Sequence, residues 1–362
     1  MLALTTSHGY WNLQTLWFFL IGVLWIGYFV LEGFDFGVGM LLPLTGRSTE
    51  ERTTLIRTIG PVWDGNEVWL LVAGGATFAA FPGWYASLFS GFYLALFLVL
   101  VALIVRGIAI EYRNKRPEEE WRRRWDFTLA GSSAVAALLW GVAFANVVAG
   151  VPTDAHGQVT ASLLDLLNPY ALFGGVTTLV LFAFHGALFL GLRTRGELEE
   201  RARRQAEALA LPAALLVLGF LAWTYVNAVN AHDKGVVPGI IPIAAACLPF
   251  VAGTLVRARK PGWAFAATAG AIALVTLTLF LNLYPRVLVS STSNAFSPTI
   301  FTTSSSHYTL TVMTIVAVLF TPIVLMYQAW SYWVFRARLG DPDAVRSPGE
   351  LLARTPLGKH SE

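Results

Sequence analysis

Nine apolar runs, each long enough to cross a bilayer, recur along this chain at 14–42, 61–80, 87–110, 127–149, 169–192, 208–230, 237–256, 262–283 and 309–335. A spanning helix needs about 20 predominantly apolar residues, so the pattern predicts an all-α, polytopic membrane protein with nine transmembrane helices. Charged residues make up 13% of the sequence, against about 25% in soluble domains. No basic segment with a short apolar stretch and a small-residue cleavage site opens the chain, so the first run reads as a span and not as a removable leader.

The basic residues set the orientation. The connections 43–60, 111–126, 193–207, 257–261 and 336–362 carry 22 of the 25 Lys and Arg residues, while the opposite set of connections carries only Lys234 and Arg286. Cytoplasmic loops hold the excess of Lys and Arg, which predicts an external N-terminus and a cytoplasmic C-terminus. Residues 1–335 read as one nine-helix membrane domain and 336–362 as a polar cytoplasmic tail; 111–126 and 193–207 read as short charged connectors. The basic residues are spread over many loops, which argues topology and not nucleic-acid binding. The single cysteine, Cys247, sits in an apolar run and reads as a small buried filler; alone, it can close no intrachain disulfide.

Charge inside such a chain is costly and usually marks an ion or proton path, a counter-charge or a buried pair. Glu32 and Asp35 lie in the first run, Asp64 and Glu67 at the start of the second, and Arg106 in the third. With the orientation above, all five fall in the cytoplasmic half, and so does His185 in the fifth run. Each acid pair is spaced three apart, which places its members on one helix face. Gly33 and Gly37 form a pattern that lets a neighbouring helix approach closely. Neighbouring carboxylates in a low dielectric cannot all stay ionised, so at least one becomes a proton carrier. Asp64, beside Gly65 and Asn66 and framed by Trp63 and Trp69, is expected to face the first-helix pair; Glu67 fits a proton role and a helix-end acid about equally. Arg106 reads as the structural counter-ion. Asn66 and His185 are secondary candidates; a lone membrane histidine is more often a hydrogen-bonded packing residue than a haem ligand. No histidine pair has metal-binding spacing on a helix.

The stretch Glu32-Gly33-Phe34-Asp35-Phe36-Gly37-Val38-Gly39 closely resembles the first-helix signature of subunit II of cytochrome bd quinol oxidase, and Trp63-Asp64-Gly65-Asn66-Glu67-Val68-Trp69-Leu70 resembles that of the second helix. Phe81-Pro82, Ser90-Gly91-Phe92-Tyr93, Arg106, Asn168-Pro169, the stretch from Arg193 to Leu198, and Trp330-Ser331-Tyr332-Trp333 extend the resemblance over nearly the whole chain. The resemblance implies nine helices in a bacterial or archaeal cell membrane and a partner, subunit I. It also implies a complex that oxidises quinol and reduces dioxygen to water without pumping protons.

In that family subunit I carries two b-type haems, haem d and the quinol-oxidation loop, so no haem is expected in this chain alone. Subunit II supplies part of the cytoplasmic proton path and in some members binds a structural quinone; small accessory subunits attach in some complexes. The resemblance assigns the proton path above all to Asp64, with Glu32, Asp35 and Arg106 beside it and Glu67 as a further member. Three positions depart from the pattern: Glu32 is often Asp, Glu67 is Gln in some members, and Trp63 is His in some, which removes a histidine relay at that point. Two other readings compete. An ion-coupled secondary transporter would use the same acids for substrate cations, but paired broken helices are not evident in the sequence. The chain could also be a purely structural anchor subunit.

Overall fold

The computed structural model describes residues 12–230 and 239–340. The expected outer N-terminal segment, Lys234 and nearly all of the tail predicted over 336–362 lie outside the described residues. The described chain forms twelve α-helices: α1 Leu13–Thr45, α2 Thr49–Ile59, α3 Trp63–Ala80, α4 Pro82–Gly91, α5 Tyr93–Tyr112, α6 Glu119–Ala149, α7 Pro169–Arg193, α8 Glu197–Asn230, α9 Ile240–Arg257, α10 Pro261–Leu283, α11 Ile300–Thr303 and α12 His307–Val334. Among the described residues, eight helices are long and apolar enough to cross a membrane: α1, α5 to α10 and α12. The remaining predicted span, 61–80, is α3; Asp64, Asn66 and Glu67 in its opening turns dilute its apolar character.

α1 runs through the middle of the bundle and packs against α3, α6, α7 and α10. Its 33 residues extend about 50 Å at 1.5 Å per residue, well beyond the roughly 30 Å of a hydrocarbon core. Its start is capped by the Asn12 side chain, which accepts from the Thr15 amide at 2.8 Å. The crossing of α1 and α7 depends on two glycines. A Cβ on Gly37 would lie 2.1 Å from the Phe182 carbonyl oxygen, and one on Gly186 would lie 2.4 Å from the Gly37 carbonyl carbon. Backbone cannot yield as a flexible side chain can, so Gly186→Ala is expected to cost about 1–3 kcal/mol by overpacking and to lower the melting temperature of the solubilised complex. Gly191→Ala, five residues along the same helix, meets nothing within 4 Å and should leave it unchanged or raise it.

Three sequence expectations are corrected. The run 87–110 is not one helix. Pro82 starts α4, the chain bends at Phe92 and α5 begins at Tyr93. Gly91 at this break lies against the connection 150–168, where a Cβ would fall 2.2 Å from Val159. The charged connectors are also largely helical. α6 begins at Glu119 and α8 at Glu197, because Glu and Arg are good helix formers and pair along the turns, as Arg203 does with both Glu200 and Glu207. Finally, Cys247 is exposed on the outer side of α9 and fills no core space.

The connection 43–60 contains α2, a short amphipathic helix opened by a Ser48–Glu51 capping box. Leu55, Ile56 and Ile59 bury its inner face. Three ion pairs hold its flanks. Arg113, fully buried, pairs with Asp126 and donates to Thr53 Oγ1 at 2.8 Å, while Arg52 reaches Asp126 at 3.3 Å. On the other side Arg201 of α8 forks onto the Glu51 carboxylate. The Arg201 hydrogen bonds and the Arg47 amide hold the Glu51 carboxyl down to about 2. A depressed carboxyl stabilises the fold above the ordinary carboxylate range, and that contribution is lost only as the pH falls toward 2. α2 therefore fixes where the next helix, α3, enters the bundle.

Candidate functional site

The expected cluster forms on the cytoplasmic side of the bundle predicted from the loop charges. Glu32 and Asp35 of α1 and Arg106 of α5 are all fully buried. The Arg106 guanidinium pairs with Glu32 and stands 3.7 Å from Glu67 Oε2 of α3. It lies 4.9 Å from the centre of the Phe36 ring and 6.0 Å from that of Trp63, cation–π contacts that replace part of its lost hydration. Asn66 Nδ2 donates to Asp35 Oδ2 at 2.7 Å. Glu32 Oε2 and Asp35 Oδ1 are buried with no hydrogen-bond partner among the described residues. Three carboxylates thus share one guanidinium in a water-poor site, where like charges disfavour joint ionisation. The arrangement can hold and exchange protons.

Asp64 departs from its expected place. It is exposed at the opening turn of α3, while Asn66 is buried and Glu67 stands at the edge of the cluster, its side chain 24% exposed. The reason is rotational. The buried stripe of α3 runs through Trp63, Asn66, Ala73, Thr77 and Ala80, and at about 100° per residue Asp64 falls roughly 160° away from Asn66. Asn66 therefore takes the inward position expected of Asp64, and Asp64 shares an outward face with Val68, Leu71 and Val72.

His185 is buried and engaged on both ring nitrogens. Nδ1 lies 2.6 Å from Thr268 Oγ1, Nε2 lies 3.2 Å from the Val30 carbonyl, and the ring stacks on Phe265 at 4.4 Å. It bridges α7, α10 and α1, and no nitrogen is left for a haem iron. Two residues of the site were not identified from sequence. Tyr332 of α12 donates to Asn66 Oδ1 at 2.7 Å, and Gln328 sits between Asn66 and the Trp69 indole. A glutamine four residues before a tyrosine, inside an otherwise apolar run, is the signal that would have found them; Tyr332 enters the sequence reading only within the stretch Trp330-Ser331-Tyr332-Trp333.

A helical membrane bundle with a buried acid cluster organised around one arginine defines the class of this protein. The sequence profile of cytochrome bd terminal oxidase subunit II matches residues 13–335, and the chain belongs to that family. It is 40% identical over 334 residues to cytochrome bd ubiquinol oxidase subunit 2 of Bacillus subtilis (strain 168), covering 92% of this chain and 99% of that protein. It is 38% identical over 374 residues to cytochrome bd-I ubiquinol oxidase subunit 2 of Escherichia coli (strain K12), covering 94% and 98%. Among solved structures, a chain of the bd oxidase from Geobacillus thermodenitrificans shares the fold with a TM-score of 0.67 at 18% identity, over 88% of this chain and 98% of that one. These relatives are subunits of a quinol:oxygen oxidoreductase complex.

Proposed function

We propose that this chain is the second subunit of a terminal oxidase that oxidises quinol and reduces dioxygen to water, and that it carries part of the proton path from the cytoplasm. The observation that supports this reading most is the buried cluster of Glu32, Asp35 and Arg106, reached from the surface through the half-covered Glu67. Asp64, exposed one turn before Glu67, is the collecting group at the mouth. Protons pass inward from Asp64 to Glu67 and on to Glu32 and Asp35, while Arg106 compensates charge on whichever acids are ionised. Nine crossings, an external N-terminus and a cytoplasmic C-terminus complete the reading, with α3 as the ninth span.

Subunit I is the natural occupant of the apolar faces left open on α3, α5 and α12. Leu71, Phe78, Leu100 and Ile104 are each more than half exposed, and only Leu310 of α12 is buried. The haems and the quinol-oxidising site belong to that partner. The residues of this chain fit a quinone better than a haem. An apolar crevice of about 520 Å³ opens between α3, α4, α5 and α6, and one wall is Trp84, whose Nε1 is buried without an acceptor among the described residues. Leu70, Leu88, Phe92 and Leu96 would hold an isoprenoid tail there, and a quinone carbonyl would accept from Trp84. Such a quinone, when bound, supplies a redox-capable ring; in this subunit it serves a structural role.

The direct test is to purify the tagged chain from its own membrane. A haem-bearing partner should accompany it, and the preparation should consume oxygen when quinol is added. A haem-free chain that catalyses cation-driven solute uptake would overturn the assignment.

A further inference from the structure

Gln328 and Tyr332 are out of character with the helix that bears them. α12 is the least covered long helix of the bundle, apolar over most of its length, and its only buried residue is Leu310 near the opposite end. In its last three turns, Gln328 and Tyr332 are among the few residues that are partly covered. They lie four apart, on one face, and their polar atoms converge on Asn66. Tyr332 O–H donates to Asn66 Oδ1 at 2.7 Å; Gln328 Nε2 lies 3.4 Å from the same oxygen, and Gln328 Oε1 accepts from Trp69 Nε1 at 3.0 Å.

This arrangement fixes which way the Asn66 amide faces. An amide carries an acceptor oxygen and a donor nitrogen that differ little in shape, so its neighbours decide its orientation. Two donors aim at one end of Asn66, so that end is the oxygen. Nδ2 is thereby turned toward Asp35, where it donates to Oδ2. The lone pair of an amide nitrogen is delocalised and takes no proton, so the acceptor site of Oδ2 that Asn66 occupies relays none. Exchange is left to Oδ1, which has no hydrogen bond among the described residues.

We propose that Tyr332 and Gln328 are positioning residues of the proton path: by locking the Asn66 amide they supply Asp35 with a fixed donor on Oδ2 and direct proton exchange through Oδ1. The inference rests on the proton-path reading above. It also ties the path to assembly, because α12 presents its remaining faces outward and its seat against α1 and α3 sets this hydrogen bond. The charged and titratable groups around Asp35 are Glu32 on its own helix, Glu67 of α3, Arg106 of α5 and Tyr332 of α12, with Arg193 of α7 acting on Tyr332.

The test uses Tyr332→Phe in the assembled two-subunit complex, with Gln328→Leu as the second variant and Asp35→Asn as the reference. Phe keeps the ring and removes the donor, so the haem spectrum and the KM for quinol should stay at their unmodified values. A carboxylate that loses a donor is less stabilised in its charged form. The alkaline limb of the pH–turnover profile should therefore move to higher pH, by about one unit for a charge-assisted bond, with a several-fold fall in kcat near neutrality. Gln328→Leu, with the longer contact, should move it the same way by less. If Asp35→Asn is slow while both α12 variants keep the unmodified rate and pH profile, the positioning role is wrong and the path stands. If Asp35→Asn itself turns over at full rate, the path reading fails first and this inference falls with it.

Discussion

Arg106→Leu is expected to leave almost no assembled complex in the membrane. Arg106 is fully buried, pairs with Glu32 and stands beside Glu67. Removing it strands carboxylates in a site with no other described cation, and breaking a buried pair in this way costs about 3–5 kcal/mol. That is a large share of the roughly 5–15 kcal/mol that holds a typical fold together. Affinity purification through this chain should then recover little partner and little haem absorbance. The companion variant Arg106→Leu with Glu32→Gln removes both charges of the closest pair and should recover part of the yield. Recovery of the single variant at unmodified levels would show that the arginine is not the counter-ion of the cluster.

Asp35→Asn should do the reverse, sparing assembly and stopping turnover. Asparagine keeps the shape and still accepts from Asn66, so the fully buried position stays filled. It cannot bind and release a proton. Quinol-driven oxygen consumption is expected to fall by about ten- to a hundredfold, equivalent to roughly 1.4–2.7 kcal/mol on the barrier, with the haems still present and reducible. Glu32→Gln should behave similarly. Asp64→Asn should cost less, because an exposed carboxylate at the mouth can be bypassed by water. Full oxygen consumption by a correctly assembled Asp35→Asn complex would remove the buried acids from the path.

The two sets of predictions separate charge that holds the bundle from charge that moves protons. Arg106 cannot lose its proton in a protein, so it contributes only compensation and packing. The three nearby acids can change state, and their number exceeds the single compensating cation. α2, which leads into α3, is pinned by Arg52–Asp126 on one side and Glu51–Arg201 on the other and packs against α1. The proposed proton mouth therefore rests on ion pairs outside the apolar runs.

The sequence by itself determined the class of fold, because the rules that write it are one-dimensional: run length against bilayer thickness, basic residues on alternate connections, and acids three apart on a helix. Those rules brought Glu32, Asp35, Glu67 and Arg106 to the same place without any knowledge of packing. They could not choose among Asp64, Asn66 and Glu67. The first turn of α3 is polar around most of its circumference, so no hydrophobic stripe announces its inward face. That face was decided by how Trp63 seats at the start of the helix and Ala73, Thr77 and Ala80 further along it, and the rotation turned Asn66 inward and Asp64 outward. Nor could sequence spacing reveal that Tyr332 and Gln328, some 260 residues away, close on Asn66. Contacts between distant helices depend on crossing angle and rotation, and only the packed tertiary structure fixes those.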